Sequence, residues 1–394
     1  MPFVELSSSQ WTPFLEAGLH DLYHLPEYAA LDATWMKGEA LGWIYTNDDC
    51  RSLIPLIRRS INRACPEISG DTSEVNSSFP TKQLPGGQFY DLVSPYGYPG
   101  ILSLKPLTAG EVSLVLSSFQ AEAATVGYIS SFIRLHPFLN NWILPSMYGI
   151  PDFHQCNHGL TLSIDLQVLN SNASDQFHND EHLMDSFSLN HRRNLRHLHK
   201  QGYTTEINAW KYLPDFLAAY TATMIRRKAA PRYLFTDDYF SRLRCIAGEH
   251  LYFIAVLSPD LEFCCGGLFS HFNRTMQYLF GATVASALHL SPSKLMMEEA
   301  INLGINHGAV VLHLGGGVGA GVADGVFRFK QGFAHRCHAF QCLHFIHCPD
   351  IYHRLVHEQR EVLAENQPML FVAEDSMTYG DHPQFFPSYR TSDD

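Results

Sequence analysis

Apolar positions change their spacing several times along the chain. Residues 42–45, 52–57 and 130–135 form short strand-like runs, the last alternating around Phe132 and Ile133, and residues 110–127 carry the wider spacing of a helix. Past residue 169 the pattern starts again. Helical spacing covers 185–201, 213–228 and 236–248, and three strand-like runs follow at 251–258, 262–269 and 275–282, whose short polar breaks predict an antiparallel meander. A helix is predicted over 292–306, with Ser291 placed to cap it, Pro292 at its first position and Gly308 as its stop. Residues 310–314 then form a strand, and residues 350–366 a last helix. The stretches 69–87 and 169–182 read as polar surface segments, and the tail after the last helix as loose at its end. This mixed order of strands and helices predicts an α/β fold with a mixed (α+β) sheet, without a visible short-period repeat.

Length divides that pattern in two. The 394 residues exceed one ordinary domain of about 100–200 residues, so two domains are expected, one over 1–157 and a second over 158–345. Hydrophobic residues at 46% against 17% charged describe a folded globular chain. No run approaches the roughly 18 apolar residues of a membrane span, and residues 1–10 lack a basic and an apolar signal region, so the expected location is cytoplasmic. Nine scattered cysteines without a C-x-x-C point to reduced thiols. A net charge of -12 repels polyanions at long range, so any nucleic-acid contact has to be local. The His- and Cys-rich run from 335 to 348 lacks zinc-ligand spacing and alternates like a strand, so no metal site is expected.

Six glycines fall within positions 315–325, directly after the predicted strand at 310–314. Gly315, Gly317 and Ala320 fit G-x-G-x-x-G/A, but that fingerprint needs a helix opening at the loop and an acidic residue about 20 positions on; no G-K-[ST] follows either. The run GVFRFK at 325–330 alternates aromatic residues and reads as too short for a helix. A strand end and tight turn that present Arg328 and Lys330 beside aromatic rings would suit an anion or a developing oxyanion, the alternative for Lys330 being a solvated side chain on a strand.

Other basic groups stand out. On a helix, Arg192, Arg196 and Lys200 share one face and Arg193 lies beside them, with no acidic residue from 186 to 205; this face either meets a polyanion or is solvated. Arg226, Arg227, Lys228, Arg232 and Tyr233 form a second cationic and aromatic group. Arg134 and His136 end a strand, where they serve either a ligand or a structural ion pair. Tyr96 and Tyr98 either line a cleft or pack. Ser291, Ser293 and Lys294 open the helix at 292–306, whose N–H groups could receive a phosphate.

The runs DLVSPYGYPG (91–100), FIRLHP (132–137), NHRRNLR (190–196), the helix pair over 220–240, SPSKL (291–295), HLGG (313–316) and FKxxF (329–333) occur in the order and spacing of the Fem-type branch of the GNAT superfamily. The chain resembles these nonribosomal peptidyl and aminoacyl transferases and the related BioF2-like acetyltransferases over about residues 20–345. The resemblance implies two tandem GNAT-like acyltransferase domains, with residues 346–394 returning to the first. It implies transfer of an acyl or aminoacyl group onto an amine of a small molecule or peptide, without a covalent enzyme intermediate. Aminoacyl-tRNA or acyl-CoA would be the co-substrate, with no permanent cofactor and tRNA a possible partner. Lys330 would be the catalytic lysine, pointing into a channel between donor and acceptor, and Arg227, Arg232 and Tyr233 would lie where relatives bind acceptor phosphate. Two departures matter. The first-domain lysine that some relatives use on a UDP pyrophosphate falls within residues 28–32, where no lysine exists, which argues against a UDP-linked acceptor. The usual acetyl-CoA turn is replaced by HLSPSK at 289–294, which tilts the donor toward aminoacyl-tRNA. A non-catalytic GNAT-fold binding protein is the alternative.

Overall fold

The computed structural model describes residues 3–61, 89–140, 150–171, 185–317, 324–366 and 386–390. In chain order the elements are β1 (Phe3–Val4), α1 (Thr12–Glu16), α2 (Pro26–Trp35), β2 (Glu39–Thr46), β3 (Arg51–Ile61), β4 (Phe89–Val93), β5 (Leu102–Ser103), α3 (Ala109–Val126), β6 (Ser130–Arg134), β7 (Phe153–Asp165), α4 (Leu166–Ser171) and α5 (Leu189–Lys200). They continue with β8 (Thr204–Ile207), α6 (Leu213–Arg226), α7 (Asp237–Ala247), β9 (Leu251–Leu257), β10 (Phe263–Phe272), β11 (Thr275–Thr283), α8 (Ser293–Asn306), β12 (Val311–Gly315), α9 (Gly325–Gln331), β13 (Arg336–Ile346) and α10 (Pro349–Asn366). The expected mixed α/β class and the antiparallel meander, here β9–β10–β11, are both present.

The chain forms two compact units: residues 1–19, 23–158 and 341–394 make the first, and residues 20–22 and 159–340 the second. In the first unit β2, β3 and β4 pair antiparallel, α3 lies in the connection to β6, β6 pairs parallel with β4, and the end of β13 pairs antiparallel with β6. The second unit repeats this order. There β9, β10 and β11 pair antiparallel, α8 lies in the connection to β12, β12 pairs parallel with β11, and the end of β7 pairs antiparallel with β12. The repeat is one of topology, carried by unrelated side chains.

Local chemistry sets the element ends. Thr108 and Glu111 close a capping box on α3, with Glu111 Oε2 accepting the Thr108 N–H at 2.7 Å, and Gly127 ends the helix at φ +95°. The buried stripe of α3, Val112, Val115, Leu116, Phe119 and Ala123, has helical spacing and enters the first core with Trp43, Ile54 and Phe345. In the second core Met296, Met297, Ala300 and Ile301 of α8 join Ile254, Val256, Phe269 and Leu312.

Several expectations need correction. Ser291 does not cap α8: it sits at φ +53°, Pro292 occupies the cap position, and no side chain caps the helix. Within the tail, residues 386–390 are anchored, while its end, residues 391–394, lies outside the described residues. Tyr389 is buried beside Tyr352 and Ile129, and Arg390 and Arg59 both pair with the buried Asp91 carboxylate, at 2.5 and 3.0 Å. The expected surface stretch at 69–87 lies outside the described residues, as does 172–182; residues 169–171 belong to α4.

Candidate functional site

The parallel ladder of β11 and β12 pairs Thr275 with Val311, Met276 with Leu312 and Gln277 with His313, and there it stops. On its other side β12 slips register against β7 between His313 and Gly315, and Gly315 ends the strand at φ +70°, a conformation that glycine adopts without cost. The Gly316 carbonyl then accepts a hydrogen bond from Lys330 Nζ at 2.5 Å, and the same ammonium lies 5.7 Å from the centre of the Tyr278 ring. One cation, itself only 9% exposed, thus sits between Tyr278, the residue after the last rung on β11, and Gly316, three residues past it on the other side. Burial pushes the Lys330 ammonium down to about 8, against the opposing pull of the Asp324 carboxylate.

Lys330 reaches this place from a helix. Asp324 Oδ2 accepts the Phe327 N–H at 3.0 Å and caps α9, so GVFRFKQ coils where alternation suggested a strand. The change of period separates the two cations: on a strand Arg328 and Lys330 would share a face, whereas here Phe327 and Lys330 turn inward and Arg328 is exposed. The helix does not restore a phosphate site, because the Asp324 carboxylate already holds its first turn and repels anions. Ala320, the third position of the glycine pattern, lies outside the described residues.

α5 packs beside α9. His191 Nε2 donates to the Phe329 carbonyl at 2.9 Å and its ring lies 4.3 Å from that of Phe333, while burial holds the imidazole below its ordinary pKa. Gly332 permits this approach: a Cβ there would stand 2.3 Å from His191 Nε2. Of the predicted basic face, Arg192 pairs with Asp185 at 3.1 Å, just outside the acid-free stretch, whereas Arg193, Arg196 and Lys200 are exposed without an ion-pair partner among the described residues.

The start of α8 has several of its backbone N–H groups engaged. The N–H groups of Lys294 and Leu295 bond to the carbonyls of Ser291 and Pro292, at 3.1 and 2.9 Å, and Lys294 Nζ, buried with its pKa lowered by that burial, faces Asn190 Oδ1 at 3.4 Å. Arg227 is exposed after the end of α6; Arg232 lies over the Tyr233 ring at 5.0 Å, and the Tyr233 carbonyl accepts from Tyr220 Oη at 2.7 Å. Among the described residues no hydrogen bond or ion pair joins this second basic group to Lys330.

In the first unit, Arg134 donates to the Ser94 carbonyl at 2.9 Å and lies 4.8 Å over the Phe132 ring. Tyr96 is held at both ends of its backbone: its N–H donates to Asp32 Oδ2 at 2.6 Å, and its carbonyl accepts from Tyr28 Oη at 3.0 Å. Tyr98 packs edge-on against Tyr23 at 6.0 Å, and Gly97 between them has φ +99°. Asp32 is fully buried, with one carboxylate oxygen lacking a partner, and burial raises its pKa to about 6 despite the Tyr96 N–H and the charge of Arg134. Asp32 and Tyr278 are the residues that sequence reasoning passed over. Asp32 had a signal, a lone carboxylate within the apolar run of α2; Tyr278 had none, being an ordinary aromatic of an alternating strand.

Among the described residues no group of three or more His, Cys, Asp or Glu side chains is arranged to hold a metal, and no helix is long and apolar enough to cross a membrane. No protein-family model and no curated protein matches the sequence. Solved structures do match. FemX aligns with 90% of this chain and 99% of its own at a TM-score of 0.61 and 13% identity. L-PGS from Bacillus licheniformis aligns at 0.48 and 12%, covering 87% and 93%, and a tandem GNAT protein from the clavulanic acid biosynthesis pathway at 0.43 and 9%, covering 88% and 98%. The fold is therefore that of FemX, as the sequence motifs indicated.

Proposed function

We propose that the protein is an acyl or aminoacyl transferase that joins the carbonyl of an activated donor to an acceptor amine as an amide. The observation that carries this reading is the buried Lys330 ammonium at the parting of β11 and β12. Attack of a neutral amine on an ester or thioester carbonyl builds negative charge on the carbonyl oxygen, and collapse expels the alcohol or thiol while the amine proton passes to that leaving group. An ammonium with a pKa of about 8 is mostly protonated at pH 7, and one hydrogen bond to Gly316 leaves two N–H donors for the oxyanion. In a site without bulk water that stabilisation is strong.

The donor we favour is aminoacyl-tRNA, met in the cytosol. Two observations support it over acyl-CoA: the N–H groups of Lys294 and Leu295 at the start of α8 are engaged, and Arg193, Arg196 and Lys200 are exposed on α5 without an ion-pair partner among the described residues, where like charges welcome a phosphate backbone. The acceptor reading, an amine on a small molecule or peptide, accords with the carboxylate at Asp32 in the stretch where some relatives have a lysine for a pyrophosphate.

Filter binding and thermal shift with acetyl-CoA, a long-chain acyl-CoA and a mixed aminoacyl-tRNA pool, at low and moderate salt, test the reading. Saturable tRNA binding that weakens with salt and is lost in Arg193→Ala/Arg196→Ala is expected. Stabilisation by CoA esters alone would move the protein to the acyl-CoA transferases, and binding of a donor that no amine ever consumes would make it a binding protein.

A further inference from the structure

Gln277 and His313, the last pair of the β11/β12 ladder, are buried at 1% and 0% exposure and bonded to each other, Gln277 Oε1 lying 2.7 Å from His313 Nδ1. On its other side Gln277 Nε2 donates to Asp21 Oδ2 at 2.6 Å. A carboxylate only accepts, so the Gln277 amide must turn its nitrogen to Asp21 and its oxygen to the ring, which assigns the proton to His313 Nδ1. Asp21 is itself anchored: the Leu22 N–H bonds its Oδ1 at 2.6 Å, and Asn273, between β10 and β11, donates to the His20 carbonyl at 2.7 Å. A carboxylate, an amide and an imidazole thus tie residues 20–22, β11 and β12 together within the second unit.

The tie stands at the point where the ladder ends. The next residue of β11 is Tyr278, and three residues past His313, directly after β12, is Gly316; these are the two groups that border the Lys330 ammonium. Beyond Gln277 and His313 no backbone pairing among the described residues fixes the separation of the strands, and the slipped register with positive φ at Gly315 leaves β12 without a continuous ladder on its other side. Apolar side chains would hold the strands together equally well, but only directed hydrogen bonds fix one register.

We propose that Asp21, Gln277 and His313 are positioning residues for Lys330: their hydrogen-bonded chain locks the last rung of the β11/β12 ladder and so sets the spacing of Gly316 and Tyr278 around the ammonium. Its bearing on catalysis rests on the reading of Lys330 given above; its geometry does not. The groups that bear on the ammonium are the Gly316 carbonyl just after β12, the Tyr278 ring from β11 and the Asp324 carboxylate at the start of α9.

The test is a pH titration of the full chain labelled with ¹³C-lysine, the Lys330 signal being assigned by its loss in Lys330→Arg. In the wild type it titrates near 8. His313→Leu breaks the chain, lets the strands spread and admits water, so the acid constant of Lys330 weakens by about tenfold or more toward that of an exposed lysine. His313→Gln, which keeps an N–H for Gln277, stays near the wild type. Asp21→Asn, which keeps the shape and removes the charge, shifts the signal less in the same direction. Ser270→Ala removes a buried hydroxyl from the residue in register with Gln277 and leaves Lys330 unmoved. An unmoved signal in folded His313→Leu overturns the proposal, as does an unmoved signal in Asp21→Asn should the leucine variant not fold, or an equal shift in Ser270→Ala. Because no substrate is needed, a failure of Lys330 as the transfer lysine is seen separately, as undiminished turnover in Lys330→Met.

Discussion

The two units reach the end of their parallel strand pair in different ways. In the first, the Ser94 N–H bonds the Phe132 carbonyl one step past the last rung, Arg134 of β6 bonds the Ser94 carbonyl, and the Tyr96 N–H is held by Asp32 of α2, so backbone pairing continues past the rung and a helix supplies a carboxylate behind it. In the second, the strands part after Gln277 and His313, and the cation between them comes from a separate helix, α9. Burial has displaced one ionisable group in each, but with opposite sign: the Asp32 carboxyl is raised to about 6 and the Lys330 ammonium lowered to about 8. Both groups are charged near neutral pH and both lack full compensation, so each opposes folding there. The proposed transfer would draw on one of these charges, the Lys330 ammonium.

The comparison breaks most sharply at Lys330. Lys330→Met lowers amide transfer by about 10²–10³-fold, the usual cost of removing an oxyanion donor, while Asp32→Asn lowers it less. Equal losses would erase the distinction between the two ends.

Stability against pH separates the two next. Between its unfolded value of 3.8 and its folded value of about 6, Asp32 binds more protons in the folded chain, so its contribution falls as pH rises through that window, by about 3 kcal/mol at 1.36 kcal/mol per pH unit. Lys330 has the reverse behaviour. Between about 8 and 10.5 the unfolded chain holds the proton more tightly, so stability rises with pH by a similar amount. Denaturant midpoints of wild type minus Asp32→Asn, and of wild type minus Lys330→Met, read these slopes one at a time. The subtraction matters because His344 and His347, both held neutral down to about 3 by burial, cost stability in the wild type and in both variants as pH falls below 6.5.

Smaller effects sharpen the second end. Gly332→Ala drives a methyl into His191 and costs about 1–3 kcal/mol, read as a lower melting temperature. Asp324→Ala costs about 1 kcal/mol by uncapping α9 and drops the Lys330 titration below 8, since the carboxylate that supports the ammonium is gone.

Much of this fold was legible in the spacing of apolar residues. The meander over β9–β11, the helices α3, α6, α7 and α8 and the strand into the glycines lie within a few residues of where periodicity placed them. What escaped has physical reasons. α2 buries Tyr28, Ala29, Leu31, Asp32 and Ala33, too many neighbouring positions to show a one-sided stripe. β7 carries polar residues through its first half and so lacks strand alternation. α9 was hidden because Phe-Arg-Phe-Lys satisfies a period of two as well as an N-capped turn, and only the Asp324 cap decides. The topological repeat was invisible because it resides in strand order rather than residue identity. At the site, Lys330 was legible from its motif, but its burial was not, because that depends on Tyr278 and Gly316, brought to it by β11 and β12.

The most direct measurement is mass-spectrometric detection of amide product after the chain is incubated with mixed aminoacyl-tRNAs, acyl-CoAs and a pool of small amines and peptides, comparing wild type with Lys330→Met. A new amide is expected, its carbonyl traceable to one donor class and its yield collapsing in the variant. Product formed equally well by Lys330→Met would contradict it, and so would a donor pool that the wild type leaves untouched.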